Sequence, residues 1–124
     1  MSADVGIATL IGETLTAIHG MEPGSDRVTF ETASGRSFVM LHHDDCCESV
    51  SVNEVVGDVA DLIGAPILKA EESSNSEDDK PDQYSESWTW TFYHLATLKG
   101  YVTLRWLGAS NGYYSESVDF EEVR

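Results

Sequence analysis

Period-two alternation of apolar and polar side chains most restricts what this chain can become. From Ser87 to Leu95, Trp88, Trp90, Phe92 and His94 fall on one face, with Thr89, Thr91, Tyr93 and Leu95 on the other. That period belongs to a strand, whose successive residues point to opposite sides of a sheet. It returns in Thr14–Ile18, in Arg27–Thr32 where Val28 and Phe30 share a face, and in Arg36–His42. Val50 and Val52 continue it, and in Tyr101–Leu107 the residues Val102, Leu104 and Trp106 align. Turn residues punctuate these runs at Glu22–Asp26, Ser34-Gly35, Lys99-Gly100 and Asn111-Gly112. Asn111-Gly112 leads into Tyr113–Phe120, so the C-terminal half reads as three consecutive antiparallel strands. The stripe Trp88, Trp90 and Phe92 reads as a core face.

A helical signal occurs once. Gly57-Asp58 opens a segment carrying Val59, Leu62 and Ile63, which Gly64 and Pro66 stop, and Asp58 and Asp61 suit its N-terminus. Ile67–Ala70 resumes an extended segment. From Glu71 to Asp82 no residue is apolar, so this stretch cannot repay its ordering entropy and reads as a mobile acidic loop spanning 71–84. The expected fold is α+β and mainly antiparallel β. It is a curved or partly closed sheet of about six or seven strands with one short helix, in a single domain over 1–124.

Charge bears on partners. With 22 acidic and 7 basic side chains the formal balance is −15, which opposes binding to bare nucleic acid or an anionic membrane and favours a basic partner. Acidity also serves solubility alone. No run approaches the roughly 20 apolar residues of a membrane span. Met1-Ser2-Ala3-Asp4 lacks the basic and apolar regions of a secretion leader, which gives a cytoplasmic expectation.

Seven residues, His42-His43-Asp44-Asp45-Cys46-Cys47-Glu48, interrupt the alternation between Phe38–Leu41 and Ser49–Val52. His42 and the thiolates of Cys46 and Cys47 offer three zinc ligands, with Asp45, Glu48 or His94 as a fourth. The spacing is not that of a zinc finger, and one cysteine packed as a small apolar residue with the other at the surface is the plainer reading. His42, His43 or His94 beside either cysteine would make a nucleophile–base set, although spacing alone fixes no distance. Asp44, Asp45 and Glu48 offer oxygens to Mg²⁺ or Ca²⁺ without calcium-loop spacing. Adjacent cysteines cannot staple distant segments, so no disulfide architecture is expected.

Several stretches share a longer pattern: His42-x-x-Asp45-Cys46-Cys47-Glu48-x-Val50, Gly57-Asp58 with Asp61–Gly64, Pro66-Ile67, and Ala70-Glu71-Glu72. Trp88–Tyr93, Lys99–Thr103, Arg105-Trp106 and Ser110–Ser115 belong to it as well. Together they resemble a family of small phage and prophage proteins catalogued as a domain of unknown function, over nearly all the chain after Leu10. The resemblance brings no activity and no catalytic residues. It implies a mobile element inside a bacterial host cell, where small acidic proteins include anti-CRISPR and anti-restriction inhibitors. On that footing the expectation is a non-enzymatic DNA mimic without a cofactor. It would bind the basic surface of a CRISPR effector or other defence nuclease complex and block engagement of target DNA. Its contacts would be Glu71, Glu72, Glu77, Asp78, Asp79 and Asp82, with Glu116, Asp119, Glu121 and Glu122 near the C-terminus. Tyr113 and Tyr114 would serve as aromatic anchors. The alternative is a zinc-binding regulatory or catalytic domain centred on His42, Cys46 and Cys47.

Overall fold

The computed structural model describes residues 2–44, 47–75, 86–112 and 114–123, with side chains from Val5 onward. The strands are β1 (Ser2–Asp4), β2 (Leu15–His19), β3 (Arg27–Thr32), β4 (Ser37–Leu41), β5 (Ser49–Val56), β6 (Lys69–Asn75), β7 (Ser87–Thr97), β8 (Gly100–Ser110) and β9 (Asp119–Val123). They form two open antiparallel sheets, ordered β1-β9-β4-β3-β2 and β5-β8-β7-β6. Because successive residues alternate their sides, each sheet turns one apolar face inward, and the two faces meet in one core. Phe30, Phe38, Met40 and Phe120 come from the first sheet; Val52, Tyr93, Leu95, Leu104 and Trp106 come from the second. Trp106 Nε1 donates to Met40 Sδ at 3.3 Å across the interface.

This architecture corrects the expected α+β fold with a single sheet of six or seven strands. Among the described residues there are two sheets, neither closes on itself, and no α-helix is present. The helix foreseen after Asp58 is one 3-10 turn, Val59–Leu62; Asp58 still caps it, its side chain accepting from Ala60 N. Four residues give too few backbone hydrogen bonds to propagate a helix, and Gly64 and Pro66 follow at once. A second 3-10 turn spans Ile7–Leu10.

Three further expectations change. Glu71–Asn75, expected in the acidic loop of 71–84, belong to β6 and pair residue by residue with His94–Trp90 of β7. Residues 76–85 lie outside the described residues. The third C-terminal strand does not pair with β8: after Asn111-Gly112 the chain leaves that sheet and crosses to the other, where β9 pairs with β4 and β1. Finally, the inward face of β7 carries Tyr93 and Leu95, both fully buried. Trp88, Trp90 and Phe92 lie on the outer face, opposite Ala109, Leu107 and Arg105 of β8. There the Arg105 guanidinium sits 4.7 Å over the Trp90 ring, so Trp90 is covered by a cation rather than by the core.

Candidate functional site

Two chain segments cross between the sheets, and they meet. The first, His42–Glu48, carries the chain from β4 to β5; the second, Asn111–Val118, carries it from β8 to β9. His42 continues β4 past Met40 on the inward side. Its side chain is 4% exposed, and Nδ1 donates to the Ser117 carbonyl oxygen at 2.7 Å. In the neutral ring, with that proton on Nδ1, Nε2 presents a lone pair. Nε2 stands 3.5 Å from Glu48 Oε2 and 3.9 Å from Asp44 Oδ1 and has no hydrogen-bond partner among the described residues. The Glu48 side chain is fully buried, whereas that of Asp44 is 72% exposed.

His43 points to the other side of the strand, as the pleat demands. Its Nε2 donates to Glu121 Oε2 at 2.5 Å, and that hydrogen bond, reinforced by the carboxylate's charge, raises the imidazole pKa above its usual value. Asp119 completes this second grouping.

The second crossing segment is held by its own carboxylate. Glu116 Oε1 accepts from Thr89 Oγ1 at 2.9 Å, and Oε2 accepts from Ser110 Oγ at 2.6 Å. The segment approaches β8 closely because Gly108 has no side chain: a Cβ there would collide with the Glu116 carbonyl oxygen.

The zinc reading grouped His42 with Cys46 and Cys47. Cys47 is disulfide-bonded, and Cys46, its sequence neighbour and the one other cysteine, lies outside the described residues together with Asp45. A sulfur held in a disulfide offers no thiolate to a metal or to a substrate. The imidazole of His42 is instead joined by two carboxylates of its own segment, Asp44 and Glu48.

The expected partner contacts separate into groups. Glu71 and Glu72 are exposed on β6, and Asp119 is half-buried at the start of β9. All three line an open groove of about 760 Å³ between β6 and β9, floored by apolar side chains including Ile7, Val118 and Phe120. Every charged residue lining the groove is a carboxylate. Lys69 approaches Glu71 at 3.7 Å. Glu116, Glu121 and Glu122 are buried and hydrogen-bonded: Glu122 receives Arg36 Nε at 3.0 Å and Nη2 at 2.9 Å. Tyr114 is half-buried, while Tyr113, Glu77, Asp78, Asp79 and Asp82 lie outside the described residues. No helix among the described residues is long and apolar enough to cross a membrane.

The outer face of the second sheet was not foreseen as a surface. Phe92 stacks on His94 with ring centroids 6.4 Å apart, and Tyr101 lies 6.2 Å beyond, with Lys69 Nζ 5.3 Å over the Tyr101 ring. Arg105 is held there by Asn53 Oδ1 at 2.6 Å and by Glu54 at 2.8 Å. A pointer was available in the sequence, since Arg105 and Thr103 alternate with Leu104 on β8 and so mark its outer side.

The family described as a domain of unknown function (DUF7448) matches residues 8–120. No curated protein and no solved structure matches this chain.

Proposed function

The chain belongs to this family of unknown function, and we propose that it is a non-enzymatic binding protein whose groove between β6 and β9 receives a cationic segment of a partner. The observation that carries the reading is the groove's charge: its charged lining residues are Glu71, Glu72 and Asp119, with no lysine or arginine among them. An apolar floor beneath a carboxylate rim suits an Arg or Lys side chain, whose stem packs while its head meets the acids. The finer proposal is that the partner is the nucleic-acid-binding surface of a bacterial defence nuclease, such as a CRISPR effector. There the rim would take the place of phosphates and keep target DNA out. The −15 balance supports this by steering the encounter with a basic surface.

Two arms test it. A fluorescent lysine- and arginine-rich peptide should bind the purified protein, weaken steeply as added salt shortens the Debye length from about 10 Å toward about 3 Å, and lose affinity on the paired change Glu71→Gln, Glu72→Gln. Salt-insensitive binding, or an unaffected double variant, would count against the groove. In the second arm, a guide-loaded CRISPR effector should bind less labelled target duplex when the protein is present. Peptide binding without that inhibition would retain the cationic groove and remove the nuclease.

A further inference from the structure

We propose that His42, Asp44 and Glu48 form a binding site for one divalent first-row transition cation of the zinc or manganese class. The residues that carry it stand apart from the groove, so the two readings fail independently. The leading observation is His42. A histidine side chain 4% exposed, with Nδ1 fixed on the Ser117 carbonyl oxygen and Nε2 aimed at two carboxylates, is arranged like a metal-ligating imidazole. The hydrogen bond at one ring nitrogen selects the tautomer that leaves the other free to ligate.

Distances favour an ion over a shared proton. A hydrogen bond would place Nε2 about 2.7–3.2 Å from a carboxylate oxygen, and the observed separations are 3.5 Å to Glu48 and 3.9 Å to Asp44. Two ligand atoms each about 2.1 Å from one metal, at the tetrahedral angle, stand about 3.4 Å apart. The three ligand atoms all lie within 4.8 Å of one another. Glu48 presents a fully buried carboxylate oxygen to the imidazole at 3.5 Å. Asp44, exposed, closes the site from the solvent side and leaves room for water to complete the coordination. One imidazole with two carboxylates suits zinc or manganese better than calcium or magnesium, which favour all-oxygen sets. The neighbouring group His43, Asp119 and Glu121 is the weaker candidate, since its Nε2 is already engaged by Glu121 at 2.5 Å.

The test titrates chelator-treated protein with MnCl₂ and with ZnCl₂. Free Mn²⁺ is followed by its electron paramagnetic resonance signal, and the histidine ring protons by NMR. One equivalent should bind, and Mn²⁺ should broaden the His42 resonances before those of His19 or His94. His42→Gln should weaken binding by at least about tenfold. Asp44→Asn, on an exposed side chain that does not hold the fold, should weaken it as well, and His43→Ala should leave it unchanged. Absence of stoichiometric binding would overturn the proposal, as would binding that survives both His42→Gln and Asp44→Asn. Loss on His43→Ala would move the site to Asp119 and Glu121 and overturn it too. Binding that appears only after a reductant opens the disulfide would assign the metal to the thiols and equally overturn it.

Discussion

Substituting on opposite faces of β7 should produce opposite outcomes. Leu95 points into the core and is 0% exposed to solvent, among Leu104, Val102 and Tyr93. Truncation to alanine removes its buried methyls and leaves a cavity the packed sheets only partly fill, at a cost of about 2–5 kcal/mol. In a domain of this size that lowers the melting temperature by roughly 10–20 °C. Phe92 is three residues away on the outer face, half-buried and stacked on His94. Phe92→Lys gives up part of an aromatic surface, but the lysine stem covers the same ground and its ammonium reaches water, so the loss should be about 1 kcal/mol. Urea denaturation followed by tryptophan fluorescence reads both, since Trp106 is fully buried between the sheets and reports their separation. A Phe92→Lys variant that loses as much stability as Leu95→Ala would show that β7 runs one residue out of this register. Such a slip exchanges every side chain between the faces.

Two further perturbations follow from the crossing segments. Gly108→Ala drives a methyl against the Glu116 carbonyl oxygen; the resulting overpacking should cost about 1–3 kcal/mol in urea denaturation, and a neutral outcome would deny the close approach. It should also weaken binding of the Mn²⁺ probe, because Ser117, next to Glu116, holds the His42 imidazole. The His43–Glu121 pair should appear in the pH dependence of stability. A folded-state pKa raised above the unfolded value of about 6.5 means that the pair's contribution is fully present below that pH and declines as pH rises through the folded value. The difference in urea midpoint between wild type and His43→Ala should therefore shrink across the range above about pH 6.5. A difference that is constant across that range would refute the pairing.

The hairpins were legible because their information is local. Alternation on β7 and β8 with Lys99 at the turn, and on β3 and β4 with Gly35 at φ 87°, announces both pairs. Which face of β7 lies inward was not legible, since both faces carry large side chains. The decision rests on Arg105, which satisfies the Trp90 ring from the solvent side. β6 lacks apolar side chains over Glu71–Asn75, and it forms because the long β7 offers a ready ladder. The departure of the chain after Gly112 depends on Glu116 reaching Thr89 and Ser110, contacts between segments that local pattern cannot foresee. The same holds at His42. The motif singled out His42, but the partner of its Nδ1, Ser117, is 75 residues downstream.

These contacts also change what the acidic balance means. A net charge counts all carboxylates alike, yet here they fall into distinct groups. Glu116, Glu121 and Glu122 are spent internally, on hydroxyls, on His43 and on Arg36, and they hold the segments that join or border the two sheets. Glu48 lies buried against His42. Glu72 on β6, with Glu71 and Asp119 beside it, faces an open groove. A protein that attracts a basic partner can use only carboxylates of this last kind, because the bonded ones cannot be released without unfastening the strands they secure. Neutralising Glu71 and Glu72 should therefore change binding with little effect on stability, and neutralising Glu116 should do the reverse. If Glu116→Gln weakened peptide binding while the protein stayed as stable as wild type, this division of labour would be wrong.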